Sequence, residues 1–365
     1  MQKKKIKQES FIKGILALIF SQILIKLFGL IYKLYLTNKQ GFGDTGNAIY
    51  SSGFQIYALL LTLSSIGVPN AVAKLVSEKV SVGDEKGAHK IFKIAFITFS
   101  FIGFVGTLIL FFSAKYIANV ALEIPEAELT LVALSPSIFF VSIISVIRGY
   151  FNGRQTMKAT ANSQTIEQLF KTIFTVVLVE FIAMISKTDT KLMAAGANFA
   201  TTLATTGSFI YLYRYYKVRR GEIAHEIKNS VNYKRNSSFS IMKNILFVAI
   251  PMSLSSILTS INKNVDSITV VRGLKKYLSD NEAKGQYGIL SGKVDTLVTL
   301  PLSFNIAFAT ALVPALSGAI ARKDFKTGKK KISFSLLITI LIALPCTVRN
   351  DNFCKTNIDI VISKC

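Results

Sequence analysis

Long apolar stretches are the feature that most constrains how this chain can fold. A helix that crosses a bilayer needs about 20 mostly apolar residues, and about nine segments meet that requirement. We place them at 11–36, 47–68, 91–113, 129–150, 162–186, 192–216, 242–270, 286–320 and, shortened, 332–346. The first follows a basic leader, lacks a small-residue cleavage site and exceeds a signal-peptide core in length, so we expect a retained helix. The sequence therefore predicts an all-α, polytopic membrane protein.

The charge of the chain supports the same class. Only 17% of its 365 residues are charged, whereas a soluble domain carries about 25%. The formal net charge is +23, which on a soluble protein would suggest a nucleic-acid partner. With the N-terminus inside, however, 27 Lys and Arg fall on inside segments and eight on outside loops. Because short cytoplasmic loops of membrane proteins are rich in Lys and Arg, we predict a cytoplasmic N-terminus, membrane lipids as neighbours and no nucleic-acid partner.

Chemistry that depends on histidine or cysteine is nearly excluded. The two histidines, His89 and His225, lie in charged stretches that we interpret as solvated loops, which leaves no histidine set for a metal site. The three cysteines, Cys346, Cys354 and Cys365, lie in the last twenty residues without a CxxC spacing. No nucleophile is paired with a base, so we expect neither an enzyme nor a bound metal.

A faint internal repeat indicates two related halves. The stretches IGVPNAVAKLVSEK and ALVPALSGAIARKD each place Val-Pro before small residues and Lys or Arg. Many transporters consist of two such halves around a central site. The predicted division is a first lobe of about six helices, a cytoplasmic inter-lobe loop, a partial second lobe of about three helices and a polar tail, at 1–216, 217–240, 241–346 and 347–365.

Ionisable residues inside the apolar segments are the candidate site. A charge deep in a spanning helix is costly and usually faces a wet cavity or a partner. Lys26 and Lys33 are seven apart and share a helical face, while Glu167 and Lys171 are four apart and can pair. The remaining candidates belong to the seventh and eighth segments: Asn262, Lys263, Asn264, Asp266 and Lys293.

Two interpretations of these charges stay open. Residues near helix ends can extend to the lipid headgroups. For Lys33, Lys171 and Lys293 this interpretation and a role in a cavity are equally compatible with the sequence. Lys26 and Asp266 lie deeper within our boundaries, which favours a cavity. A hydrated cationic cavity suits a negatively charged lipid-linked substrate, because lysine can bind phosphate as a point charge.

Four stretches resemble a known family: IGVPNAVAKLVSE, ALSPSIFFVSIISVIRGYFNGRQTMKATANSQTIEQ, the AIP of the seventh segment with INKNVD, and YGILSGKVDTLVTLPLSFNIAFATALVPALSGA. They are similar to the SpoVB/MurJ branch of the multidrug/oligosaccharidyl-lipid/polysaccharide exporter superfamily, from about residue 10 to residue 345, and RGYFNG is the most specific part. The resemblance implies two six-helix lobes and two further helices, about fourteen in all, in a bacterial plasma membrane. It also implies alternating-access flipping of an undecaprenyl-linked saccharide, such as lipid II, for cell-envelope or spore-cortex synthesis.

The resemblance also suggests roles for individual residues. Lys26, in KLFGL, resembles a diphosphate-contacting position, and Asp266, with Asn262 nearby, resembles a sodium-binding position whose companion ligands lie on later helices. Arginines of the second and eighth helices in that branch correspond here to uncharged residues, near Ser64 and at Thr296, with Lys293 one turn earlier. No cofactor is expected beyond a coupling Na⁺ or H⁺.

The substrate-cavity candidates are thus Lys26, Lys33, Glu167, Lys171, Lys263 and Lys293, and the ion-binding candidates are Asn262 and Asp266. One alternative function is a cation-coupled drug exporter of the same superfamily, which an acidic cavity would favour. Another is a non-transporting fragment. The sudden polarity after Thr347 suggests a single-base frameshift near codons 346–349, so residues 347–365 would have no folded role and flipping would be impaired.

Overall fold

The structure, a computed structural model, describes most of the chain and describes it as helices joined by short turns. The described residues are 11–62, 67–122, 124–186, 189–231, 237–274, 276–279, 308–309 and 312–362. In chain order the helices are α1 Phe11–Asn38, α2 Gly43–Thr62, α3 Val68–Ser81, α4 Glu85–Tyr116, α5 Glu128–Gly153, α6 Met157–Ile185, α7 Thr190–Lys228, α8 Ser238–Leu274, α9 Leu312–Ala321 and α10 Phe325–Ile362. The predicted all-α fold is confirmed.

Four helices of the described part are long and apolar enough to cross a membrane. They are Leu16–Asn38, Glu85–Val120, Pro125–Gly153 and Met157–Ile185. The apolar window of the third is 72% buried, against 17–22% for the other three. The third is α5, and it packs against α3, α4 and α7. It therefore forms the centre of the first lobe, which we define as α1 to α7, while the other three turn much of their apolar surface outward.

Two predicted boundaries were wrong. The second predicted segment, 47–68, is divided, because α2 ends at Thr62 and α3 begins at Val68 with Pro69 in its first turn. Proline is well placed there, since the first turn needs no N–H partner. The predicted loop after residue 216 is helical as far as Lys228. The Lys, Arg and Glu residues of this stretch are good helix formers. Their polarity therefore indicates that this part of α7 is in contact with solvent, and it does not mark the end of the helix.

His89 lies in a helix rather than in a loop. The turn before α4 is short, because the Asp84 carboxylate accepts a hydrogen bond from Gly87 N at 2.8 Å and caps the helix. His89 follows in the first turns of α4, half-buried, with ring centroids 5.8 Å from Phe92 and 6.2 Å from Tyr150. The prediction of a solvated His89 was therefore wrong.

Two glycines let α5 approach α3 closely. Gly149 and Gly153 form the small-xxx-small spacing that brings membrane helices together. A Cβ on Gly149 would lie 2.7 Å from the Pro69 carbonyl oxygen, and one on Gly153 would lie 2.8 Å from the Ala73 carbonyl oxygen. The contact between these helices therefore depends on glycine at both positions.

A buried arginine closes the turn between α5 and α6. Arg154 is 4% exposed, and its guanidinium pairs with Glu85 at 2.8 Å and with Glu226. It also donates to the Tyr150 hydroxyl at 3.1 Å. Gln155 follows in the left-handed region, at φ 58°. Arg154 thus joins the start of α4, the end of α5 and the last turns of α7.

The two Val-Pro stretches of the predicted repeat have the same local structure. Each opens a short helix, α3 or α9, which leads through a left-handed residue, Gly83 or Lys323, into an aspartate cap. Asp84 caps α4, and Asp324 Oδ1 accepts from Thr327 N at 3.1 Å at the start of α10. The two short helices also touch, because Ser77 Oγ donates to the Pro314 carbonyl. This local correspondence supports the internal repeat.

The polar tail predicted at 347–365 continues α10 as far as Ile362. Nearly all of its side chains lie outside the described residues.

Candidate functional site

A polar seam joins α1 to α6. Ser21 Oγ donates to the Ala161 carbonyl at 2.8 Å and lies 2.9 Å from Thr165 Oγ1. On the next position of α1, Gln22 Nε2 donates to Gln164 Oε1 at 3.2 Å. Such bonds between membrane helices satisfy polar groups that lipid cannot. The seam therefore holds polar side chains between two helices that are long and apolar enough to cross a membrane.

Two lysines of α1 lie further along the helix, beyond this seam. Lys26 is half-buried one turn beyond Gln22, and Lys33, two turns further, is exposed. Their spacing of seven residues places them on one face of α1, as the sequence indicated. One face of α1 thus carries two lysines, one half-buried and one exposed.

A cavity of about 520 Å³ opens between α1 and α6. Its size lies in the range of ligand sites, ~300–1,000 Å³. Among the residues that the structure describes, its wall is mainly apolar and contains one cation and no carboxylate. It is formed by Ala17, Phe20, Ser21, Leu24, Lys158, Ala161, Asn162, Thr165 and Ile166. The wall continues into a cluster in which Leu18, Met157 and Ala161 pack with Phe308, so the cavity lies beside a contact between the first lobe and residues of the second.

Glu167 pairs with a different cation from the one predicted. Its carboxylate lies 2.7 Å from Arg148 Nη2 of α5, and the same guanidinium donates to Ser163 Oγ at 2.8 Å and Ser208 Oγ at 3.1 Å. The predicted pair of Glu167 with Lys171 was therefore wrong. Spacing along α6 identified Lys171 as a possible partner of Glu167. The partner in the structure is Arg148 of the central helix α5, whose guanidinium also donates hydrogen bonds to two serines.

Lys171 lies inside the first lobe. It is 7% exposed, and its ammonium is 4.2 Å from the centroid of the Phe54 ring and 5.1 Å from that of Tyr32. Aromatic faces attract a cation at such distances. The structure thus separates Lys171, in an aromatic box formed by α1 and α2, from the more accessible lysines of α1.

The candidates of the seventh and eighth segments can be placed only in part. Asn262, Lys263 and Asp266 belong to α8, but their side chains lie outside the described residues, as does the whole of Lys293. Within the described part of the chain, no group of three or more His, Cys, Asp or Glu could hold a metal ion.

Sequence reasoning missed Arg148 and Arg154. Both were counted only among the 27 Lys and Arg of the inside segments, yet Arg148 is in the last turns of α5 and Arg154 is buried at the turn that follows. The available signal was the RGYFNGR stretch, in which two arginines flank a small-xxx-small spacing. The two glycines of this stretch indicated a close contact between helices. Nothing in the stretch indicated which acidic residues pair with the arginines.

A second cavity, of about 150 Å³, lies between α3, α4 and α8. Acidic and basic groups both line it, including Glu78, Lys79, Asp84 and Lys90. Lys79 pairs with Asp84 at 3.2 Å, and burial raises the pKa of Glu78 against the opposing effect of nearby lysines. Three lysines, Lys79, Lys86 and Lys90, face two carboxylates, Glu78 and Asp84, in its lining, so the charges compensate each other only in part.

The fold is that of a polytopic helical membrane protein. The structure matches an outward-facing multidrug resistance MATE family transporter of the MOP superfamily with a TM-score of 0.73, at 15% identity over 94% of this chain and 73% of that chain. It also matches a MOP superfamily transporter from Pyrococcus furiosus, for which a reversed polarity of the binding pocket suggests a different function. That TM-score is 0.71, at 15% identity over 94% of this chain and 73% of that chain.

The chain belongs to the family described as polysaccharide biosynthesis protein, whose sequence profile matches residues 11–319. It is 24% identical over 345 residues to the lipid II flippase MurJ of Bacillus subtilis (strain 168). It is 25% identical over 344 residues to stage V sporulation protein B of the same organism. Each match covers 92% of this chain and 63% of the relative, so the chain spans less than two thirds of their length.

Proposed function

We propose that the chain is part of a flippase that moves an undecaprenyl-linked saccharide across the bacterial plasma membrane. One observation carries the proposal, namely that the described residues lining the cavity between α1 and α6 are mainly apolar and include one lysine, Lys158, and no carboxylate. A lipid-linked diphosphate combines an apolar chain with negative charge and matches both properties. The similarity to a lipid II flippase and to a sporulation protein supports this substrate class.

In this proposal the lipid chain occupies the α1–α6 cavity, whose lysine is Lys158. The diphosphate lies against α1 outside the residues that line the cavity, with Lys26 as the main contact and Lys33 as the second. Glu167 contributes by holding Arg148 in place at the rear of the seam. On α8, Asn262 and Asp266 are four apart and so share a face, where we propose a site for coupling Na⁺ or H⁺. Lys263 and Lys293 would extend the cationic surface into the second lobe. Rocking of the two lobes would expose the cavity to each side in turn.

A cation-coupled drug exporter is the second candidate, and the fold alone is compatible with it. A cavity for cationic drugs would need carboxylates, whereas Lys158 is the one ionisable residue among the described residues that line the α1–α6 cavity. A third candidate, a non-transporting fragment, is distinguished by complementation. Growth of a flippase-depleted strain that expresses this chain would exclude it.

The Lys26→Ala variant tests the site. In a full-length homologue that has a basic residue at the position of Lys26, its replacement by alanine should slow flipping ~10–100-fold, because a hydrogen bond to a charged group contributes roughly 1.5–3 kcal/mol. Membrane insertion should be unaffected, since removing a charge lowers the insertion cost. Flipping of a labelled lipid-linked saccharide in vesicles is the measurement. The exposed Lys115, placed on α4, offers a matched control at which alanine should change little, and normal flipping by Lys26→Ala would remove Lys26 from the site.

The orientation of the chain is tested separately. We expect a reporter fused after Arg220 to be cytoplasmic and one fused after Lys187 to be external, because Lys and Arg divide 27 to eight between the two sides. Paired phosphatase and fluorescent-protein fusions measure this. The opposite result at either position would overturn the proposed topology.

A further inference from the structure

The two lobes touch through the short helices α3 and α9. Ser77 Oγ of α3 donates to the Pro314 carbonyl of α9, and both residues are buried. A Cβ on Gly318 of α9 would lie 3.0 Å from Ser77 Oγ and 3.4 Å from Ser81 Cβ. Because Ser77 and Ser81 are one turn apart, they present one face of α3 to α9. The contact therefore depends on small residues of both helices.

A second contact joins the start of α3 to α8 of the second lobe. A Cβ on Gly67, which directly precedes α3, would lie 2.5 Å from the carbonyl oxygen of Ala249, and Ala249 is buried. Helix α3 also packs closely against α5, the centre of the first lobe. It therefore lies between the centre of its own lobe and two helices of the second lobe.

The internal repeat indicates where this contact lies in the molecule. Helices α3 and α9 open with the two equivalent Val-Pro stretches, and each leads through a short turn into the next helix. Where two halves are related by a pseudo-two-fold axis along the membrane normal, a contact between equivalent elements lies on that axis. The residues around both turns are rich in Lys and Arg, which assigns the contact to the proposed cytoplasmic side.

We propose that the contact between α3 and α9 is a latch that closes the cytoplasmic side of the space between the lobes. A path along the axis is blocked while the two helices touch, and it opens when they separate. Small residues and one hydrogen bond between a hydroxyl and a carbonyl can separate without rearrangement of large interdigitated side chains. The latch rests on the proposed function for its role in transport, but its opening can be measured without substrate.

Distances between the lobes test the latch in the purified chain. With the three native cysteines replaced by serine, spin labels are attached at Arg220→Cys of α7 and Phe325→Cys of α10, both exposed positions. Gly318→Leu should shift the measured distances to longer values, because a single Cβ at Gly318 already lies 3.0 Å from Ser77 Oγ. The matched control is Ile320→Leu, at an exposed position of α9, which should leave the distances unchanged.

Ser77→Ala is the milder variant, because it adds no atoms to the contact. It removes the hydrogen bond to Pro314 and should raise the fraction of long distances about 2- to 10-fold, the factor that one neutral hydrogen bond contributes. If Gly318→Leu and Ser77→Ala lower the melting temperature but leave the distances unchanged, the contact is permanent packing and the latch is wrong.

A disulfide across the contact gives the converse test. Ser81→Cys with Gly318→Cys should crosslink on oxidation, because the two Cβ positions are 3.4 Å apart, close to the ~3.5–4.5 Å of disulfides. The control pair, Ser81→Cys with Ile320→Cys, should not crosslink.

The crosslinked protein should not flip a labelled lipid-linked saccharide in vesicles, and reduction should restore flipping. Flipping that continues at the same rate through the disulfide would overturn the latch. If the reduced protein does not flip, the proposed function fails, and the distances between the labels still decide whether α3 and α9 separate.

Discussion

Replacing Gly149 with leucine is expected to prevent the first lobe from assembling, and Gly149→Ala should already reduce its stability by about 1–3 kcal/mol. The reason is geometric: even a single added Cβ lies 2.7 Å from the Pro69 carbonyl oxygen and 2.9 Å from Val72 Cβ. Helix α3 can yield only by moving away from α5, which is the buried centre of the lobe. The melting temperature and the yield of monodisperse protein in detergent measure the effect.

The chain offers a matched control for this substitution. Gly221 is also helical, in α7, but a Cβ there would meet nothing within 4 Å. Gly221→Ala should therefore be neutral or stabilising by about 0.5–1 kcal/mol, since glycine disfavours a helix interior. If Gly149→Ala and Gly221→Ala behave alike, the close approach of α3 to α5 does not limit stability.

Much of the fold could be predicted from the length and hydropathy of the apolar segments. The four described membrane-length helices all overlap predicted segments, because a 20-residue apolar run has few alternatives to a spanning helix. The continuation of α7 to Lys228 could not be predicted in this way. Beyond residue 216 the side chains of α7 are mainly polar. Hydropathy indicates whether a segment lies in an apolar environment, and it does not indicate whether its backbone is helical.

The candidate site was less predictable, because its contacts join distant parts of the chain. The spacing of seven residues between Lys26 and Lys33 was sufficient to predict that they share one face of a helix. The partner of Glu167 did not follow from spacing, since Arg148 belongs to another helix. Lys171 was identified as an unusual charge, but the aromatic box around it uses α1 and α2. Packing between helices decides which partner a charged side chain meets.

Arg154→Met is expected to destabilise the first lobe by about 3–5 kcal/mol, because removing one member of a buried ion pair leaves unpaired charge. Arg154 is 4% exposed, and its partners Glu85 and Glu226 are 17% and 15% exposed. Methionine keeps the apolar length of the side chain, so the loss reports charge rather than volume. A fall in melting temperature of roughly 10 °C is the expected measurement.

Two comparisons separate this explanation from a general effect of losing a cation. Lys39 pairs with Glu180 nearer the surface, with exposed fractions of 19% and 40%, so Lys39→Met should cost less than about 1 kcal/mol. Adding Glu85→Gln and Glu226→Gln to Arg154→Met should recover most of the lost stability, because neutral amides carry no charge that needs a counter-ion. If the triple variant is no more stable than Arg154→Met alone, the guanidinium acts through its hydrogen bond to Tyr150 and its packing rather than through charge. If Arg154→Met matches Lys39→Met, the junction of α4, α5 and α7 does not depend on this arginine.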